Sequence, residues 1–207
     1  MPPRWSGRGA GAKIIAMNSN RRHFVTGAAL LGGSLALGHS AQVLAQAAPA
    51  GAAPSPAAME AKAPPMPALG THLPLPEVPL FDGSVFRPAQ AEGQVLVIYW
   101  WASDCPFCAL QSPEMQKLWN RERAKGAQGL QLLTLSIDRK REDALTYLHK
   151  KGYTFPAGFV TPEIQRVLPK PKGLPITLVR GRDGKLLQGE RGQLFPEDVE
   201  QLSHWTS

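Results

Sequence analysis

Three apolar runs dominate the hydropathy pattern. Val95-Leu96-Val97-Ile98-Tyr99-Trp100 is apolar, β-branched and aromatic, as a buried strand should be, and the strand is expected from Gln94 to Trp100. Leu130-Gln131-Leu132-Leu133-Thr134-Leu135-Ser136-Ile137 is the second, and Gly173-Leu174-Pro175-Ile176-Thr177-Leu178-Val179 the third. Between the first two, residues 107–123 read as a helix with Leu110, Met115, Leu118 and Trp119 as its core stripe, and Pro113 inside it predicts a kink. After the second, Asp138 is a helix-start signal before Arg139 to Leu148, and Lys150-Lys151-Gly152 closes that helix with a favourable positive end. Residues 154–160 read as a short strand and 162–168 as a short helix. Gly181 to Lys185 turns into Leu186-Leu187-Gln188-Gly189, and a last helix runs from Pro196 to about His204. Ahead of the first core strand, Leu80 to Phe86 reads as two short strands around an Asp82-Gly83 turn. Strands alternating with helices make this an α/β chain.

The chemistry concentrates just after the first strand. Trp100-Trp101-Ala102-Ser103-Asp104-Cys105-Pro106-Phe107-Cys108 contains the only two cysteines of the chain, three positions apart. Pro106 suits the first position of a helix, where its missing N–H costs nothing. Cys105 is thus expected at the exposed end of a strand and on a helix N-terminus, whose dipole and unpaired N–H groups favour a thiolate. Cys108, one turn on, lies on the same face and can resolve a mixed disulfide. Asp104 opposes the thiolate, since a neighbouring carboxylate disfavours a second negative charge. The competing readings are a metal pair or two inert thiols. A closed zinc site takes four ligands, and His72, His149 and His204 are scattered along the chain, so redox chemistry is preferred.

The segment resembles the active site of the thioredoxin superfamily, and of its TlpA/ResA-like thiol–disulfide oxidoreductases in particular. Trp100-Trp101-Ala102-Ser103, Cys105, Cys108 and Pro113 match that group's pattern. Asp104 stands where the group usually has Trp. Pro106-Phe107 is closer to glutaredoxins and to oxidising DsbA proteins. Gln111 replaces a Glu that tunes the thiols in many members, so Asp104 and Gln111 are the expected tuning positions. The resemblance implies a thioredoxin-like fold, a central mixed β-sheet flanked by helices. It further implies that Pro175, in Leu174-Pro175-Ile176-Thr177, is cis and packs against the cysteine pair, with the Leu174 backbone pairing to an extended substrate. Trp100, Trp101 and Phe107, with Pro175, are then expected to line an apolar rim where a partner chain docks.

Composition adds a frame around this domain. The chain is 43% hydrophobic and 19% charged, as a soluble protein is, with 20 prolines and 20 glycines concentrated outside the expected core. Its formal charge of +7 invites a nucleic-acid reading. Arg4, Arg8, Lys13, Arg21 and Arg22 all lie before residue 48, where no acidic residue falls, and the remainder is nearly balanced, so nucleic acid is not an expected partner. Residues 1–47 read as an export signal. Arg21-Arg22 precede a weakly apolar run from Gly27 to Gly38, and Ala45-Gln46-Ala47 offers a cleavage site. Asn20-Arg21-Arg22-His23-Phe24-Val25 resembles the twin-arginine pattern, an ordinary secretory signal being the alternative, and Met17 is an alternative start. The apolar run is too short and glycine-rich for a membrane span, and no cysteine near the cleavage site can carry a lipid. Residues 48–78, rich in Ala and Pro, are expected to form a disordered linker, and residues 79–207 the thioredoxin-like domain.

The expected protein is therefore a periplasmic thiol–disulfide oxidoreductase, soluble after cleavage near Ala47, with Cys105 as nucleophile and Cys108 as resolving thiol. It needs no dissolved cofactor and no metal. The resemblance implies a reducing role towards disulfide-containing or dithiol proteins, as in cytochrome c maturation or copper-site assembly, with a membrane thiol electron donor. The alternatives are a disulfide-donating oxidant, a non-enzymatic Cu(I)-binding module, and a peroxidase of the related peroxiredoxin branch, whose Thr–x–x–Cys pattern is absent.

Overall fold

A computed structural model of the chain describes residues 61–206. The expected export signal, residues 1–47, and residues 48–60 of the expected linker lie outside the described residues. The domain opens with a small antiparallel pair, β1 (Val78–Pro79) and β2 (Val85–Phe86), with Val78 opposite Phe86. The Asp82-Gly83 turn lies between them, closed by Leu80 N–H to Ser84 O at 2.8 Å. The second strand thus falls within the expected Leu80–Phe86 segment, and the first lies just ahead of it at Val78–Pro79.

A five-stranded mixed sheet forms the body. β3 (Leu96–Trp101) lies at its centre. β4 (Gln131–Ser136) runs parallel beside it, and β5 (Ala157–Phe159) runs parallel to β4 at the edge. On the other side β6 (Ile176–Arg180) and β7 (Leu186–Arg191) run antiparallel, so the strand order is β5-β4-β3-β6-β7. All six residues of β3 are buried, because the sheet is covered on both faces and alternate side chains enter different layers. Val97, Tyr99 and Trp101 join one core with Met115, Leu118, Leu148, Val199 and Leu202. Leu96, Ile98 and Trp100 join the other with Leu133, Leu135, Ile164, Ile176 and Leu178. Each such side chain contributes about 1.5–3 kcal/mol by leaving water.

Among the described residues, four α-helices follow the predicted order. α1 (Pro106–Arg123) continues through Pro113 as one element of 18 residues. α2 (Arg141–Lys151) ends at Gly152, whose φ of 67° and ψ of 28° suit a residue without a side chain. α3 (Pro162–Val167) starts on Thr161, whose hydroxyl accepts from Ile164 N–H at 3.3 Å. α4 (Pro196–Gln201) passes into a 3-10 turn over Leu202–Thr206, which completes the segment expected as one helix. The sheet and flanking helices are the expected mixed α/β architecture.

Two elements depart from expectation. The domain does not wait for residue 79. Gly70 N–H donates to Leu186 O at 2.8 Å, Leu73 N–H to Gly184 O at 2.9 Å, and Leu186 N–H to Thr71 O at 2.9 Å, so this stretch lies along β7. Leu73 is buried and Met66 packs against the second core. The Pro-rich composition hid sparse apolar anchors, each of which finds a place. The second departure is Asp138, which does not cap α2. The residue before that helix is Lys140, which makes no side-chain cap, and the Asp138 carboxylate turns back to the end of β3.

Candidate active site

The chain leaves β3 at Trp101, and the next four residues make a tight approach to α1. Cys105 N–H donates to Ala102 O at 3.2 Å, and Ala109 N–H to Cys105 O at 3.0 Å, so Cys105 is the cap of the helix. Its sulfur accepts from Cys108 N–H at 3.2 Å. Cys105 and Cys108 are joined in a disulfide, with Cα atoms 5.2 Å apart. Cys105 is half-buried and Cys108 fully buried, so an incoming sulfur reaches Cys105 first. A helix N-terminus that donates to this sulfur favours its ionised form on reduction.

Asp138 fixes the approach loop. Its carboxylate accepts from Ser103 N–H at 2.9 Å, from the Ser103 hydroxyl at 2.5 Å and from the Ser136 hydroxyl at 2.6 Å. Beneath the pair, the Tyr99 hydroxyl donates to Cys108 O at 3.3 Å and lies 3.0 Å from Ser112 Oγ. Burial pushes the Tyr99 phenol well above its ordinary value, and the Ser112 hydrogen bond only partly offsets this, so it stays neutral.

The peptide between Leu174 and Pro175 is cis. Pro175 is buried and Leu174 half-buried between the two cores. Gly173 has φ of 105°, and a side chain there would meet Arg191 Cγ at 2.9 Å. A cleft of about 800 Å³ runs between this loop and the Asp138 loop, with Ser103, Asp104, Ile137, Tyr147, Lys150 and Leu174 in its walls. Asp104 is exposed at the mouth beside Cys105.

The other candidates fall into two groups. Phe107 is 57% exposed and Leu110 60% exposed, an apolar edge on the first turns of α1. Trp100 and Trp101 do not form part of a rim, contrary to expectation. Both are fully buried, because a central strand covered on two faces presents no side chain to solvent. Trp101 donates from Nε1 to Thr134 Oγ1 at 3.2 Å and its ring lies 5.4 Å from that of Tyr147. Gln111 is likewise fully buried. Its amide donates to Thr177 Oγ1 at 2.9 Å and its oxygen accepts from Leu194 N–H at 2.8 Å. Sequence reasoning missed Asp138 as a partner of Ser103 and missed Tyr147, which reach the site only through the parallel pairing of β3 and β4. Among the described residues no group of three or more His, Cys, Asp or Glu side chains is placed to hold a metal ion.

Comparison with known proteins agrees with this geometry. A model of the AhpC/TSA family matches residues 69–159. No curated protein matches the chain. Among solved structures, a putative thiol:disulfide interchange protein DsbE from Chlorobium tepidum is 27% identical, with 68% of this chain and 96% of that one covered and a TM-score of 0.55. A thioredoxin-family thiol:disulfide interchange protein from Chlorobium tepidum TLS gives 19% identity, coverage of 68% and 99%, and a TM-score of 0.60. StoA from Bacillus subtilis gives 19%, 68% and 100%, and 0.54. The last two carry the fold alone. With a bonded Cys-Pro-Phe-Cys pair capping α1, a cis proline opening β6 and this sheet order, the chain has a thioredoxin-like fold and is similar to thiol:disulfide interchange proteins.

Proposed function

We propose that the protein is exported and reduces disulfides of periplasmic client proteins. The observation that carries the redox step is the position of Cys105, half-buried at the cap of α1 with its sulfur accepting the Cys108 N–H. In the forward direction the Cys105 thiolate attacks one sulfur of the client disulfide, and the client's other sulfur leaves as a thiolate. Cys108, as its thiolate, then attacks Cys105 Sγ, releasing the client's second thiolate and closing the internal disulfide. Two electrons pass to the client, and the two thiolates released take protons from water. A dithiol donor must then reduce the pair again. An exported compartment is oxidising, so that donor draws its electrons across the membrane. Clients in cytochrome c maturation or copper-site assembly fit this chemistry.

Export rests on Arg21-Arg22, the apolar run after them and Ala45-Gln46-Ala47. Among the described residues no helix is long and apolar enough to cross a membrane. The opposite redox direction has one feature in its favour, Pro106 beside the nucleophile. The equilibrium reduction potential of the pair decides between them. A value of about −270 mV or lower supports the reductase, and one near about −120 mV makes the protein a disulfide donor.

A further inference from the structure

The loop that ends in the cis Leu174–Pro175 peptide is built around a buried cation. Residues 169–175 read Pro-Lys-Pro-Lys-Gly-Leu-Pro, so three of seven positions lack an N–H. Such a loop is poor in donors, while its carbonyls still need partners when they turn inward. Lys170 supplies them. It is 6% exposed, and its ammonium donates to Pro171 O at 2.7 Å and Gly173 O at 2.9 Å. Its own N–H donates to Gln165 Oε1 at 3.2 Å, which fixes the residue against α3. Lys172 N–H donates to Pro64 O at 2.9 Å, and Gly192 N–H to Pro175 O at 2.9 Å.

A buried ammonium is costly unless oxygens replace its water, so an apolar side chain would serve mere packing better. The Gly173 carbonyl is the informative partner. Held inward on Lys170, it fixes the peptide that precedes Leu174, and Gly173 and Leu174 line the cleft beside Asp104. We propose that Lys170 is a positioning residue for client docking: it presents the Gly173–Leu174 backbone to an extended segment of the client protein flanking its disulfide. This rests on the thiol–disulfide exchange reading above. A small disulfide that meets only Cys105 needs no such loop.

The test uses the full chain, prereduced and in single turnover, as wild type and as Lys170→Met. Insulin serves as the protein disulfide and 5,5′-dithiobis(2-nitrobenzoic acid) as the small one. Loss of the ammonium removes its hydrogen bonds to the Pro171 and Gly173 carbonyls, and the half-saturating insulin concentration is expected to rise about tenfold. The limiting rate with insulin and the rate constant for the small disulfide are expected to stay within about twofold. Should Lys170→Met not fold, Lys170→Gln, whose shorter amide cannot hold both carbonyls as the ammonium does, must show the same split. Equal loss on both substrates, or no loss on either, overturns the assignment of Lys170 and leaves the exchange reading standing. A wild-type protein that reduces neither substrate overturns that reading and this inference with it.

Discussion

The Gln111 side chain donates to the Thr177 hydroxyl across 2.9 Å, and so ties the helix of the cysteine pair to the strand that Pro175 opens. Its other atom, Oε1, accepts from Leu194 N–H ahead of α4. One amide on α1 thus satisfies polar groups from two other segments in a site with no access to water. Gln111→Ala is expected to cost about 1–3 kcal/mol, because the Leu194 N–H is left buried without a partner. Urea unfolding of the reduced and oxidised forms measures it; a cost below about 0.5 kcal/mol would show that water replaces the amide.

What the sequence made legible follows the range of each signal. The strand–Cys105–Pro106–Phe107–Cys108–helix run is local, and its apolar pattern and the proline at the first helical position placed both cysteines within their elements. Long-range pairing was hidden. Asp138 has the local look of a helix start, yet β3 and β4 run parallel with Trp101 opposite Ser136, which brings Ser103 within reach of its carboxylate. Trp101 looked like a rim residue because it adjoins the cysteines, but the sheet's second layer buries it. Residues 64–78 looked like tether because proline dominated them, while Leu73 and Val78 hold the apolar contacts that fix them.

Stability at acid pH is expected to depend on Glu122. Its side chain is fully buried at the end of α1. Burial alone would raise its pKa from the ordinary 4.5, but hydrogen bonds from Lys125, Ser203, Leu130 N–H and Arg121 outweigh it and hold the carboxyl below that value. A folded-state pKa below the unfolded one means stability present above about pH 4.5 and lost as pH falls through the folded value. Wild type is therefore expected to lose more stability than Glu122→Gln between pH 6 and pH 3, which denaturant titrations at a series of pH values measure. Parallel curves for the two proteins would remove Glu122 from this role.

Gly158 in β5 is where the small β1–β2 pair meets the main sheet. A Cβ there would run into Val78 Cγ1, with Pro79 O at 3.2 Å. Gly158→Ala is expected to cost about 1–3 kcal/mol through overpacking, and to loosen the segment before β3 first. Hydrogen exchange at Phe81 N–H, which donates to Ala157 O at 2.8 Å, reports this directly. Unchanged protection there would mean that Val78 moves aside without strain.

Trp101 and Phe107 separate structure from recognition within one short motif. Trp101 is fully buried between α1, α2 and the sheet, and donates to Thr134 from its indole. Trp101→Phe removes that donor and part of the ring, leaves the Thr134 hydroxyl in the core, and is expected to cost about 1–3 kcal/mol. Phe107 sits on the first turn of α1 beside the reactive sulfur, and more than half of it faces solvent. Phe107→Ala is expected to change stability by no more than about 0.5 kcal/mol, since little packing is lost. On the proposed function, an exposed aromatic beside Cys105 serves docking of a client more than folding. The same variant is therefore expected to slow reduction of insulin several-fold and to leave the small disulfide unaffected. If Phe107→Ala instead destabilises the fold as much as Trp101→Phe, the exposed edge of α1 is part of the core and not a docking surface.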